Sequence, residues 1–235
     1  MTYRNNVPVD FNWSDIDPAF ISWEVFDHLI YDRFNKVKPG DIVMDIGASC
    51  GPFSFTAALN GAKKIYLVEP SKNLLKAAMQ NLSEFAFNTE DRFVFLNYAI
   101  SDSVNYGKDT ASTRVFGNNT TYNTETFKRI VEKYNIDHID FLKIDCEGGE
   151  YDVFIPENID YLKNKVKFIS MEVHGRIIDN GLNKFLNFRD NYLKHFENYN
   201  VITGDGVSWK EHMYNDDIIL NVISQTELMI YIENK

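Results

Sequence analysis

The sequence predicts an α/β chain built on an open, doubly wound sheet, and three observations carry that prediction. Short apolar runs alternate with helix-patterned stretches from residue 41 to residue 196. The runs are continuous in Ile, Val, Phe and Leu rather than alternating apolar and polar, as in strands buried on both faces of a parallel sheet. Near the C-terminus the last two strand-like runs lie too close for an intervening helix, which calls for antiparallel pairing at that edge.

Taken in order, residues 15–34 read as an amphipathic helix with Phe20, Ile21, Val25, Phe26, Leu29 and Ile30 on its apolar face. Strands follow at 41–45, entered through Pro39-Gly40, then at 64–69, 93–98, 139–145 and 166–174. Helices are expected at 52–60 and at 71–87, the second with Ser71 as N-cap and Leu74, Leu75, Ala78 and Leu82 on one face. Further helices are expected at 125–134 and 183–196, and strands at 199–203, 217–224 and 228–232. Strand–helix alternation of this kind implies right-handed crossovers.

Composition narrows the function classes. The 235 residues, 44% hydrophobic and 25% charged, suit one domain of 39–235 preceded by a helical extension of 1–38. No apolar run approaches the roughly 18 residues needed to span a bilayer. Residues 1–18 lack the apolar core of a secretory signal, and two cysteines, Cys50 and Cys146, cannot staple a chain of this size. A reduced, cytoplasmic setting is the expectation. With 24 basic against 34 acidic residues, the net charge of −10 argues against a nucleic-acid partner, whose backbone needs clustered Lys and Arg.

In an open α/β sheet, ligands bind beyond the carboxyl ends of the strands. The first strand ends in Asp45-Ile46-Gly47-Ala48-Ser49-Cys50-Gly51, directly before a helix. Gly47 permits a tight turn, Gly51 a close helix–strand approach, and the helix N-terminus offers unpaired N–H groups. The second strand ends at Glu69, placed to accept hydrogen bonds from ribose hydroxyls. An adenosine-containing ligand follows. Ser49 stands where a dinucleotide fingerprint has its second glycine, which leaves little room for a pyrophosphate. S-adenosyl-L-methionine, with an amino-acid tail, suits the loop better than NAD.

The same loop, read through Pro52-Phe53-Ser54, resembles the first motif of class I S-adenosylmethionine-dependent methyltransferases. More narrowly, the chain resembles the FkbM-type enzymes, whose glycine loop reads D-x-G-A-N-x-G and whose fourth strand runs into K-I-D-x-E-G-x-E. Lys143-Ile144-Asp145-Cys146-Glu147-Gly148-Gly149-Glu150 matches the latter at every fixed position, whereas Ser49 replaces the usual Asn of the former. Ala99-Ile100-Ser101-Asp102 and Met171-Glu172-Val173-His174 resemble the family's third- and fifth-strand endings, so the likeness spans about residues 40–224. It implies a Rossmann-like fold, a mostly parallel seven-stranded sheet with an antiparallel C-terminal edge strand, and helices on both faces. It also implies methyl transfer, most often to a hydroxyl oxygen of a sugar or natural product.

On that reading Asp45, Gly47, Ala48, Ser49 and Gly51 hold the methionine end of the cofactor and Glu69 its ribose. Ala99 and Ile100 flank the adenine, with Asp102 an alternative partner for the adenine amino group. Asp145 touches the amino group of the cofactor or the acceptor hydroxyl. Lys143, two residues earlier on the same face, either joins it in catalysis or forms an internal salt bridge. His174 is the candidate general base, with Glu172 on the same strand face. Asp145, Glu172 and His174 could instead converge on a divalent cation, although no spacing demonstrates one and none is predicted. Glu147 and Glu150 are expected to cap the next helix, and both cysteines to be buried small residues. Residues 106–122 read as a short hairpin or a lid bordering the acceptor site, and loop 204–215, with Trp209, His212 and Tyr214, as a sugar-stacking wall or a self-packed loop. Two rival readings stand: a binding module without turnover, and a nicotinamide-dependent oxidoreductase, for which a second nucleotide half is missing.

Overall fold

In the computed structural model, seven strands form one sheet. They are β1 (Ile42–Ile46), β2 (Lys64–Val68), β3 (Phe93–Leu96), β4 (Ile139–Ile144), β5 (Val166–Val173), β6 (Tyr199–Thr203) and β7 (Leu228–Glu233). The structure describes residues 3–4, 7–8, 10–14, 16–86, 91–102, 104 and 122–234. The hairpin or lid expected at 106–122 therefore lies outside the described residues except for Tyr122, as do Asp15, Phe87 and the side chain of Phe20.

The strand order is β6-β7-β5-β4-β1-β2-β3, parallel except for β7, which runs antiparallel to both neighbours. The antiparallel strand thus sits one place in from the edge. The chain starts at β1 and winds outward to β3, then returns to β4 on the other side. This reversal opens a crevice above the carboxyl ends of β1 and β4. Register there sets Asp45 beside Lys143 and Ile46 beside Ile144.

Successive residues of a central strand serve opposite faces of the sheet. On β1, Met44 and Ile46 join one apolar cluster with Leu142 and Ile144, while Val43 joins the other with Phe141, Ile65 and Leu67. Covering these faces are α2 (Pro52–Leu59), α3 (Lys72–Asn81), α4 (Phe127–Lys133), α5 (Glu150–Val153), α6 (Pro156–Asn164), α7 (Gly181–Asn191) and α8 (Asp216–Ile223), besides a short N-terminal α1 (Pro18–Ser22). Ser71 caps α3 as expected, its hydroxyl accepting from the Leu74 N–H at 3.4 Å.

Two expectations are corrected. Residues 217–224 are helix α8, not a strand: Asn215 caps it by accepting from the Ile218 N–H, acidic Asp216 and Asp217 fill its first turn, and Ile219 and Ile223 bury one face. The stretch 15–34 is not one helix. After α1 comes a single wide turn, Trp23–Asp27, closed by the His28 N–H on the Trp23 carbonyl, and then Leu29 in the left-handed region at φ 50°. That break turns the chain, so that Val25, Phe26, Ile30 and Tyr31 pack with Phe53 and Phe55 on α2.

Candidate active site

The loop after β1 is set by backbone conformation. Gly47, Ser49 and Gly51 all have positive φ, at 76°, 53° and 85°. At Gly47 no side chain fits, because a Cβ would sit 1.6 Å from the Asp145 carbonyl oxygen. The loop is therefore pressed against the end of β4. Ser49 adopts a left-handed conformation that Asn tolerates better. Its backbone N–H points at Glu69.

Glu69, at the end of β2, is 5% exposed. One of its oxygens accepts from the Ser49 N–H at 2.9 Å and the other from the Ser71 N–H at 2.7 Å. Burial pushes its pKa up to about 7 despite these bonds. The two amides fix the carboxylate in place, and Glu69 lines a cavity of about 460 Å³.

At the other end of that cavity stand Asp145, Glu172 and His174. Asp145 is held from three sides. The Tyr31 hydroxyl donates to its Oδ2 at 2.7 Å, Lys143 Nζ lies 3.6 Å from the same oxygen, and His174 Nε2 lies 3.8 Å from Oδ1. Burial opposes its ionisation, but Lys143, His174 and the Tyr31 bond together hold it below the usual carboxylate range. Lys143 donates to the Gly47 carbonyl at 2.7 Å and pairs with Asp45 at 3.3 Å. Burial alone would discharge it; Asp45 and Asp145 outweigh that and raise its pKa.

His174 is buried with its Nδ1 3.2 Å from Glu150 Oε1, an oxygen that also accepts the His174 backbone N–H at 2.9 Å. Burial lowers the basicity of the ring, yet Glu150, Asp145 and Glu172 push it up to about 10. Glu172 is the reverse case: burial, with Asp145 beside it, lifts its carboxyl well above the normal range.

Residues 41–200 match the Methyltransferase FkbM domain, about two thirds of the chain. The chain belongs to the FkbM methyltransferase family. The crystal structure of methyltransferase FkbM from Methylobacillus flagellatus KT superposes with a TM-score of 0.56 at 13% identity, over 86% of this chain and 45% of that one. The present chain therefore spans under half of that protein's length. A putative rRNA-methylase from Clostridium thermocellum superposes with a TM-score of 0.50 at 11% identity, over 94% of this chain and 100% of that one. Both likenesses concern the fold. No curated protein sequence matches the chain.

In this FkbM-type chain, the cavity is lined by Gly47, Ser49, Glu69, Ala99, Ile100, Asp145, Glu172 and His174 among the residues expected from sequence. Asp45, Ala48, Gly51 and Lys143 are not in the lining. Asp45 is fully buried beneath it, accepting from the Ser54 hydroxyl at 2.7 Å; Ala48 faces the core, and Gly51 packs on Ala78. Asp102 is exposed outside the cavity, its backbone serving the Asp152 carboxylate. Glu150 does not cap α5, whose N-cap residue Gly149 has no side-chain partner; one of its oxygens accepts from the Gly148 N–H at 2.7 Å in the preceding turn and the other orients His174. Glu24 and Tyr31, from the N-terminal segment, escaped the sequence reading; Glu24 lines the cavity, and Tyr31 holds Asp145 from beneath. The one signal for them was the polar residues on a helix otherwise read for its apolar face. Cys50 is buried, and burial raises its thiol to about 11. In loop 204–215 Trp209 lines a second cavity, whereas Tyr214 stays exposed under the Arg189 guanidinium. Asp145, Glu172 and His174 each offer one ligand atom, all within 4.8 Å of one another. Lys143 and His174 already supply Asp145 with the positive charge that a divalent cation would bring.

Proposed function

We propose that the chain transfers the methyl group of S-adenosyl-L-methionine to a hydroxyl oxygen of a small molecule or saccharide. The observation that carries this reading is the single cavity with the amide-fixed Glu69 at one end and the Asp145–Glu172–His174 cluster at the other. Glu69 takes the ribose hydroxyls, and Ala99 and Ile100 the adenine, as apolar contacts. Gly47 and Ser49 leave room for the methionine moiety, while Asp45 and Lys143 act beneath them by holding the loop against β4. Asp102 has no role in this reading.

When bound, the cofactor supplies an electrophilic methyl carbon on a sulfonium. The chain aligns the acceptor oxygen in line with it, which is worth about 7–11 kcal/mol in well-oriented systems. It also removes the hydroxyl proton, worth roughly 10²–10⁴ in rate. His174 is the proposed base: its Nδ1 is fixed by Glu150, leaving Nε2 toward Asp145 and the cavity. Glu24 is the second candidate, because it lines the same cavity and burial, with the Asp145 charge, raises it to about 7. Residues 1–38 then belong to the working enzyme, since Glu24 and Tyr31 come from that segment.

Parallel calorimetric titrations with S-adenosylmethionine, S-adenosylhomocysteine and NAD test the reading. Micromolar binding of the first two and none of NAD is expected. Binding of NAD alone would overturn it. Methyl release to a hydroxylated acceptor separates an enzyme from a binding module without turnover.

A further inference from the structure

A second cavity, of about 590 Å³, adjoins the first across a shared wall of Glu24, Glu172 and Glu227. Its far side comes from the end of β6, the loop that follows and α8, with Thr203, Asp205, Trp209, Asn221 and Gln225 in the lining. Trp23, 41% exposed, faces it from the N-terminal segment. Its volume is that of a small-ligand site.

The lining is chemically one-sided. Four carboxylates face the space, those of Glu24, Glu172, Asp205 and Glu227, and no described lysine, arginine or histidine lines it. Of the four, Glu227 alone makes an ion pair among the described residues, with Arg176 at 2.9 Å. Arg33 lies against Gly206 behind the lining and acts on Asp205 only through space. No described group donates a hydrogen bond to the side chain of Glu24 or Glu172. Burial, with the neighbouring Asp145, raises both, outweighing Lys143 and His174 at Glu24 and His174 at Glu172.

We infer that this second cavity is the acceptor site and that it takes a cationic, polyhydroxylated acceptor, an amino sugar, in preference to phosphorylated or carboxylated ones. The inference rests on the methyl-transfer reading above. A protonated amine supplies the positive charge that no described side chain of this lining provides, whereas a phosphate meets only carboxyl groups there. The indole faces of Trp23 and Trp209 suit the apolar face of a sugar ring and attract cations. Thr203, Asn221 and Gln225 offer donors and acceptors to its hydroxyls. The shared wall then brings an acceptor hydroxyl beside Glu172 and His174, at the end of the cofactor cavity remote from Glu69.

The test uses the full chain saturated with S-adenosylhomocysteine, titrated calorimetrically at neutral pH. The ligands are the glucosamine disaccharide, its N-acetylated counterpart and glucose 6-phosphate. The free-amine disaccharide is expected to bind roughly tenfold more tightly than the acetylated one. The phosphate is expected to give no binding, and the amine preference to shrink with added salt. Gln225→Lys, at an exposed position on the cavity wall, is expected to abolish the preference while leaving S-adenosylhomocysteine affinity unchanged. Equal affinities, a preference for the phosphate, or no binding of the free amine overturns the inference. Failure of S-adenosylhomocysteine itself to bind strikes the cofactor reading instead, so the two failures are distinguishable.

Discussion

Ser49 donates its backbone N–H to the Glu69 carboxylate at 2.9 Å across twenty residues of sequence, tying the loop after β1 to the end of β2. Glu69 therefore has two tasks, shaping the loop and facing the cavity. Glu69→Gln keeps the shape and can still accept from one amide, but loses the charge that favours ribose hydroxyls. It is expected to weaken S-adenosylmethionine binding by roughly 1.5–3 kcal/mol, the worth of charged hydrogen bonds. The fold should stay intact. Calorimetry with the variant checks this, and unchanged affinity would remove Glu69 from the ribose.

The loop backbone makes opposite demands at two neighbouring positions. Gly47→Ala drives a methyl group into the Asp145 carbonyl, so loss of the folded state, or several kcal/mol of stability, is expected. Ser49→Asn relieves a left-handed serine and should stabilise by a few tenths to about 1 kcal/mol. Urea midpoints of the two variants decide both points.

Lys143 is 3% exposed and serves Asp45, Asp145 and the Gly47 carbonyl at once. Lys143→Met removes that cation and strands two carboxylates, one of them fully buried. A loss of about 3–5 kcal/mol is expected, as for a broken buried pair. Equilibrium unfolding of the variant would show a change under 1 kcal/mol if the lysine were dispensable.

The pH dependence of turnover separates the two candidate bases. Only the neutral ring accepts a proton, and His174 is held charged up to about 10, so turnover through His174 should climb until that pH. Turnover through Glu24 should level off near 7. Glu150→Gln removes the carboxylate that fixes Nδ1, and should move a His174-dependent limit downward without moving a Glu24-dependent one. The same shift bears on stability. A ring raised from 6.5 to about 10 contributes fully below pH 6.5, and its contribution is lost as pH rises toward 10.

Chelation is expected to leave activity within about twofold, because Lys143 and His174 already balance Asp145. Measuring turnover before and after EDTA treatment and gel filtration checks this. A loss restored by added magnesium would assign the Asp145–Glu172–His174 set to a cation.

Much of the architecture was readable from local pattern. Continuous apolar runs mark β1 to β5, Ser71 marks the start of α3, and the segments ending in Gly47, Glu69, Asp145 and His174 mark the strand ends that face the cavity. Helix α8 was misread because Ile218, Ile219, Leu220, Val222 and Ile223 form a short apolar run, in which a helix and a strand look alike without weight given to the Asn215 cap.

What the sequence by itself determined is the succession of the central strands along the chain and which polar residues end them, since periodicity and turn chemistry act between near neighbours. Only the tertiary structure decided that Tyr31 reaches Asp145 across 114 residues and that Glu24 forms a wall between two cavities. It also decided that Glu150 partners His174 instead of capping its helix, and that Lys143 works beneath the cavity instead of in it. Charge state belongs to the same class. Whether His174 is a base or a cation depends on carboxylates brought beside it through space, and a pKa responds to burial and distance rather than to position along the chain.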